Sequence, residues 1–145
     1  MIRVVIDTNV VVSAALNDDG LPAAVLSLAI DKNILMFVSG PILAEYERVL
    51  NRSYLKLSAM RIKALLADIH RSSTLIQPTR VVSVIKEDES DNRFLECAQA
   101  GSDDFLVTGN TKHFPKAFDK TAVVTPKQFI ETILPLLAEI PVDKS

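Results

Sequence analysis

Three carboxylates and one amide are the side chains of this sequence best placed to do chemistry together. Asp7 directly follows an apolar run, Glu45 lies in the first turns of a predicted helix, Asp91 opens a later helix, and Asn110 follows another apolar run. Converging carboxylates repel one another, so they need a compensating charge, and Mg²⁺ or Mn²⁺ with oxygen ligands is the usual one. Such an ion activates water and stabilises charge on a phosphate, which is the chemistry of phosphodiester hydrolysis.

Asp7 is the first residue of this set and the one with the clearest local context. It ends a predicted strand and is followed by Thr8 and Asn9, a hydroxyl and an amide. A carboxylate in this position suits a hard cation or a general base, because ligands gather beyond the carboxyl ends of strands in open α/β sheets. The alternative is that Asp7 only ends the strand and caps the next helix.

The elements that must position these residues alternate along the chain. Apolar runs predict strands, and segments with helical spacing or capping signals predict helices. The strands are predicted at 3–6, 34–38, 105–108 and 122–125, and the helices at 10–16, 23–30, 42–51, 58–70, 92–100 and 126–138. Two short β-type runs, 75–76 and 81–85, are separated by Pro78 and are expected to be irregular or edge strands.

This alternation indicates the α/β class. We expect a three-layer α/β/α domain with a central, mainly parallel, twisted sheet of four to five strands. The 145 residues, 48% of them hydrophobic, predict a single domain over 1–140 and a loose tail over 141–145. The single cysteine, Cys97, excludes an intramolecular disulfide and a thiolate metal cluster. No membrane span or signal peptide is recognisable, so we expect a soluble, cytoplasmic protein.

A net charge of −2 conceals a strong asymmetry along the chain. Residues 48–71 contain six bases and one acid, whereas residues 87–104 contain seven acids and one base. Local patches set the field that a ligand meets, so the total charge does not exclude a nucleic-acid partner. The candidates for guiding a nucleic-acid backbone are Arg48, Arg52, Lys56, Arg61 and Lys63. The alternative is that these bases only solvate two helices.

Four segments carry a family resemblance. Val5–Asn9 with Ser13 resembles the opening of PIN-domain ribonucleases, and Ser39–Glu45 is similar to the family's second segment. Asp88–Ala98 and Asp103–Phe114 resemble the third and fourth segments. The resemblance covers nearly the whole chain in the family's order and spacing. The motifs are weak individually but specific in combination.

The resemblance implies a metal-dependent nuclease that cuts RNA with Mg²⁺ or Mn²⁺ and that is often a homodimer. It further implies that Asp7, Glu45 and Asp91 are metal-site acids. Many small family members are toxins silenced by an antitoxin that occupies the cleft, so a cognate antitoxin is an expected partner. Thr8, Asn9 and Thr108 would orient the acids or bound waters.

The sequence departs from the family pattern at Asn110, where many members have Asp. An amide oxygen can still bind a metal, but one negative charge is lost, which puts a second metal in doubt. Asp88 and Asp104 are the candidates to replace that charge, and surface solvation or helix capping is the alternative for each. His70 and His113 are predicted to be surface residues.

Three other functions stay open. One is a PIN-fold module that binds RNA and has lost catalysis, with Asn110 as its first sign. Another is a housekeeping RNA-processing nuclease rather than a toxin. The third is a phosphatase-like hydrolase with Asp7 as nucleophile, but such enzymes usually need a second acid two residues later, where this chain has Asn9.

Overall fold

The computed structural model describes residues 1–138, which form six α-helices and one six-stranded sheet. The strands are β1 Arg3–Ile6, β2 Leu35–Val38, β3 Thr74–Leu75, β4 Phe105–Val107, β5 Ala117–Phe118 and β6 Thr121–Val124. The helices are α1 Thr8–Leu16, α2 Leu21–Ile30, α3 Gly40–Leu50, α4 Ala59–Ser72, α5 Asn92–Ala100 and α6 Pro126–Ala138. The predicted tail 141–145 and the domain boundary at 140 lie outside the described residues.

The sheet has the strand order β3-β2-β1-β4-β6-β5, and only β5 runs antiparallel to its neighbour. The predicted three-layer α/β/α class with a mainly parallel sheet is therefore confirmed. β3 and β5 raise the strand number to six, above the expected four to five. Each contains only two residues, too few to show a hydrophobic period in the sequence.

The central strands β1 and β4 lie side by side, and their carboxyl ends set the position of the site. Val5 pairs with Leu106 and Ile6 with Val107, and all four side chains are buried. This pairing brings the residues after Ile6 and Val107 to the same edge of the sheet. Strands buried on both faces read as continuous apolar runs, which is why both were recognisable in the sequence.

The helix boundaries follow from capping chemistry. The Ser39 hydroxyl accepts a hydrogen bond from the Ile42 amide at the start of α3, and the Ser58 hydroxyl accepts one from Arg61 at the start of α4. Serine is a common N-cap because its hydroxyl can accept from an unpaired amide of the first turn. α2 is almost entirely apolar because α1, α4 and α6 all pack against it.

The predicted irregular run 81–85 does not join the sheet. Its Val82 and Ile85 side chains are buried, and α5 side chains bind its backbone. The Ile85 amide donates to Asn92 Oδ1 at 2.8 Å, and the Val82 amide donates to Glu96 Oε2 at 2.9 Å. These bonds replace a strand ladder and fix the segment that leads to Asp88 and Asp91. None of the helices in residues 1–138 is long and apolar enough to cross a membrane.

Candidate functional site

An open cleft of about 500 Å³ lies at the carboxyl ends of the central strands. Three separate segments bring carboxylates to it: Asp7 follows β1, Glu45 lies on α3, and Asp88 and Asp91 flank the short turn before α5. The predicted metal-site acids Asp7, Glu45 and Asp91 therefore share one cleft. Of the two proposed replacement acids, the structure brings Asp88 to this cleft.

Asp7 is the most firmly held of these acids, and its residue is only 6% exposed. One carboxylate oxygen accepts a hydrogen bond from the Thr8 amide at 2.8 Å, so Asp7 does cap α1. The other accepts one from the Thr108 hydroxyl at 2.7 Å. Burial raises the pKa of Asp7 to about 6; the two hydrogen bonds oppose this rise and the charges of Glu45 and Asp88 add to it. Asp7 therefore both caps α1 and belongs to the group of carboxylates in the cleft.

Glu45 reaches the cleft from the middle of α3. Its Oε2 accepts a hydrogen bond from the Thr8 hydroxyl, and its Oε1 lies 3.7 Å from the Arg48 guanidinium. Thr8 therefore binds Glu45 through its hydroxyl and Asp7 through its amide. The predicted orienting role of Thr8 is consistent with these contacts.

Asp91 ends the turn before α5 and makes no capping hydrogen bond with its side chain. Burial, followed by the charges of Asp7, Asp88 and Glu45, raises the pKa of Asp91 to about 7, whereas His113 lowers it. Asp88 is engaged differently, because its Oδ1 accepts hydrogen bonds from the Ser90 amide at 3.1 Å and hydroxyl at 2.6 Å. Asp91 is thus strongly affected by its neighbours' charges and makes no cap bond.

The loop after β4 completes the cleft. The fully buried Thr108 hydroxyl donates to Asp7 and accepts from the backbone N–H of Asn110 at 3.0 Å. Asn9 Oδ1 accepts a hydrogen bond from the Gly109 amide at 3.0 Å, which ties this loop to the start of α1. The Asn110 side chain lines the cleft and lies 3.0 Å from His113 Nδ1.

The donor set and the charge of the cleft suit a hard divalent cation. Carboxylate and amide oxygens are the ligands that Mg²⁺ prefers, and burial, with the charges of neighbouring acids, raises the pKa values of Asp7 and Asp91. Within residues 1–138, however, no three Asp, Glu, His or Cys side chains are arranged as a ready set of ligands for one ion. Glu45 and Asp7 instead bind Thr8 and Thr108. The residues fit such an ion in chemistry and charge.

Several residues that were predicted to belong to the site lie outside the cleft. Asp104 binds the Arg3 amide at 2.9 Å and Lys120 at 3.4 Å, at the start of β4 and thus at the opposite end of the sheet. Arg61 is held by the Ala15 carbonyl and by Asp18, both at the end of α1. Lys56 and Lys63 are exposed and do not line the cleft, whereas Arg48 and Arg52 do.

The structure adds three residues that sequence reasoning missed. Tyr46 is fully buried under the site, and its hydroxyl donates to the Ile6 carbonyl, directly before Asp7. His113, predicted only as a surface residue, is exposed but lines the cleft, and Tyr54 lies on the cleft's outer part. Sequence spacing gave no signal for Tyr54 or His113, because chain folding alone brings their turns to this edge. Tyr46 could have been found from the sequence, because it directly follows the candidate acid Glu45.

A PIN-domain family model matches residues 3–112, a span that contains all four cleft carboxylates and Asn110. The chain is also similar to the uncharacterized protein MJ1680 of Methanocaldococcus jannaschii, with 34% identity over 143 residues and 90% of each chain covered.

Proposed function

Because this chain belongs to the PIN-domain family, whose members are generally nucleases, we propose that it is a metal-dependent endoribonuclease. It would hydrolyse RNA phosphodiester bonds with Mg²⁺ or Mn²⁺. The observation that carries this proposal is the meeting of four carboxylates, from three chain segments, in one open cleft. Such a cluster is costly without a cation, because burial and mutual repulsion disfavour the charged forms of Asp7 and Asp91.

Asp7, Glu45 and Asp91 would hold the ion, and Asn110 offers a neutral oxygen beside them. When bound, a divalent ion supplies an activated water and stabilises charge on the phosphate. Thr108 and Thr8 keep Asp7 oriented through its two carboxylate oxygens. Glu45 is held by Thr8 and Arg48 and is placed to bind the ion or to position the water. Many family members have Asp where this chain has Asn110. Asp88 would supply the negative charge that is missing there.

Arg48 and Arg52 are the bases at this cleft among those predicted to guide RNA. Their contacts with phosphates would provide affinity that is independent of sequence and that falls with salt. Arg61 is already bound to Ala15 and Asp18. Arg61, Lys56 and Lys63 therefore play no part in the proposed interface at the cleft.

A pair of glutamates on α3 provides the sharpest test. Glu45→Gln keeps the size of the side chain but removes a charge from the cleft, whereas Glu47→Gln removes one from an exposed position two residues away. We expect Glu45→Gln to reduce Mn²⁺-dependent cleavage of a labelled RNA pool by at least about a hundredfold, the scale of losing a catalytic electrostatic contact. Glu47→Gln should cleave as the native protein does. Equal activity of all three proteins would exclude this site.

The same assay separates the nuclease from a binding module. A module without catalysis would shift the mobility of the RNA without shortening it, with or without Mn²⁺. A phosphatase-like enzyme would instead form a phospho-enzyme at Asp7. Neither outcome is compatible with the proposed hydrolysis.

The proposal extends to the cellular role of the protein. We propose that it acts as the toxin of a toxin–antitoxin pair, with a cognate antitoxin covering the cleft, and that it forms a homodimer. The support is the family to which the chain belongs. Expression should arrest growth, and co-expression of an adjacent small gene should relieve the arrest. A housekeeping nuclease would leave growth unchanged.

A further inference from the structure

Tyr54 is an aromatic side chain in an unusual position. It lies in the short turn Ser53–Leu55 between α3 and α4 and is 69% exposed. It lines the same cleft as the carboxylate cluster. An exposed aromatic ring that lines a cleft is available to contact a ligand bound there.

The surroundings of Tyr54 favour a nucleic-acid ligand over an apolar one. Arg48 and Arg52 line the cleft and lie between Glu45 and Tyr54 in the sequence. An Arg52 guanidinium nitrogen lies 3.4 Å from the Tyr54 hydroxyl. Arg48 is also exposed, with 64% of its side chain accessible. Guanidinium groups beside an exposed aromatic ring match the two parts of a nucleotide, since arginine binds phosphate and the ring stacks on a base.

We propose that Tyr54 is a base-stacking residue that holds an unpaired nucleotide of the RNA in this cleft. This inference rests on the proposed ribonuclease function and assigns to Tyr54 the contact with the base. A base inside a duplex is stacked on its neighbours and cannot present its face to a side chain. A single strand, loop or bulge can, and stacking tolerates any base because every base has a π-face.

The composition of the chain allows direct observation of this contact. There is no tryptophan, and the only other tyrosine, Tyr46, is fully buried. Quenching of tyrosine fluorescence by RNA would therefore report on Tyr54 in the native protein. The affinities of the native protein and of the variants, including those that lack Tyr54, would be compared by the mobility shift of a labelled RNA. A metal chelator would prevent hydrolysis, and the ligands would be a single-stranded 12-nucleotide RNA and the same sequence in a fully paired duplex.

We expect the native protein and Tyr54→Phe to bind the single strand equally, because both keep an aromatic ring. Tyr54→Leu should bind it roughly five- to a hundredfold more weakly, which is the range for loss of one stacked base. Duplex binding should not change. Met60→Ala is the matched control, since Met60 is 82% exposed and lies outside the cleft.

Two results would overturn the role of Tyr54. One is native affinity of Tyr54→Leu for the single strand, and the other is an equal loss for single strand and duplex. In both cases metal-dependent cleavage by the native protein would leave the proposed function intact. If the native protein neither bound nor cleaved RNA, the proposed function itself would fail. With Mn²⁺ present, Tyr54→Leu should raise KM for the single strand more than it lowers kcat.

Discussion

Asp7 combines tight hydrogen bonding with an unfavourable charge. Two donors, Thr8 and Thr108, stabilise its ionised form, yet the pKa of Asp7 is raised to about 6 because burial outweighs them. Asp91, with no capping bond from its side chain, has its pKa raised further, to about 7. At the residue scale the cleft therefore holds protons on these carboxylates at pH values where an ordinary aspartate is ionised.

Metal binding should consequently depend steeply on pH. A metal needs the ionised forms of Asp7 and Asp91, and both pKa values lie between 6 and 7. We expect the affinity for Mn²⁺ to fall on the order of a hundredfold between pH 8 and pH 5.5, because protons then occupy both carboxylates. Calorimetric titration with Mn²⁺ at several pH values would measure it. An affinity that stayed constant over this range would contradict the proposed ligands.

At the scale of elements, the site depends on how α3 is fixed to β1. Tyr46 follows Glu45 on α3, and its buried hydroxyl binds the Ile6 carbonyl at the end of β1. The Thr8 hydroxyl, at the start of α1, makes a second connection, to Glu45. The distance between Asp7 and Glu45 is therefore set by the contacts of α3 with the end of β1 and the start of α1.

Tyr46→Phe should weaken this connection while keeping the buried ring. Loss of the hydroxyl leaves the Ile6 carbonyl without this donor, which costs about 1–3 kcal/mol of unfolding free energy. Urea denaturation would measure the change. Tyr54→Phe is the control, because its hydroxyl is exposed, and we expect its stability to match that of the native protein. If Tyr46→Phe were as stable as the control, the bond to Ile6 would contribute nothing.

The sequence predicted the elements well wherever they carried a long enough pattern. β1, β2, β4 and β6 and all six helices of residues 1–138 appear where apolar runs or capping serines indicated them. β5 was not predicted, because two residues show no period. The elements that bring Tyr54 and His113 to the cleft are short turns, whose position depends on packing of the neighbouring helices.

At the scale of the whole molecule, acids occupy both ends of the sheet. Asp103 lies before β4, at the end opposite the cleft, and is fully buried with no hydrogen-bond partner for either carboxylate oxygen among the described residues. A Cβ at Gly101 would lie 2.7 Å from its Oδ1, so a larger residue there would force the Asp103 side chain to move. Burial raises the pKa of Asp103 to about 7; Arg3 and Lys120 oppose the rise and Asp104 adds to it.

Asp103 should therefore lower stability at neutral and alkaline pH. Its folded pKa of about 7 lies above the usual 3.8, so the folded state holds the proton more tightly. The free energy of unfolding then falls as pH rises from about 4 to about 7, and the loss stays constant above that. Asp103→Asn removes the ionisable group. Its free energy of unfolding, relative to that of the native protein, should therefore increase by on the order of 1–4 kcal/mol from pH 4.5 to pH 8.

Thermal unfolding of both proteins at pH 4.5 and pH 8 would test this. Asp104→Asn, which changes a partly exposed acid next in sequence, serves as the control. A constant difference in Tm between Asp103→Asn and the native protein at the two pH values would show that Asp103 is not protonated in the folded state.

By itself, the sequence determined the class of the fold and named the candidate acids. Apolar runs report burial, and the residue after such a strand must lie at a sheet edge, which singled out Asp7. Glu45 and Asp91 were named with it from their places in the predicted helices and from the family resemblance. Only the tertiary structure decided that Asp88 belongs to the cleft and Asp104 to the opposite end, and that Arg61 is engaged with α1. The same structure placed Tyr54 beside the acids and buried Asp103. The physical reason is that charge, exposure and proximity depend on contacts between segments far apart in sequence, which residue spacing does not encode.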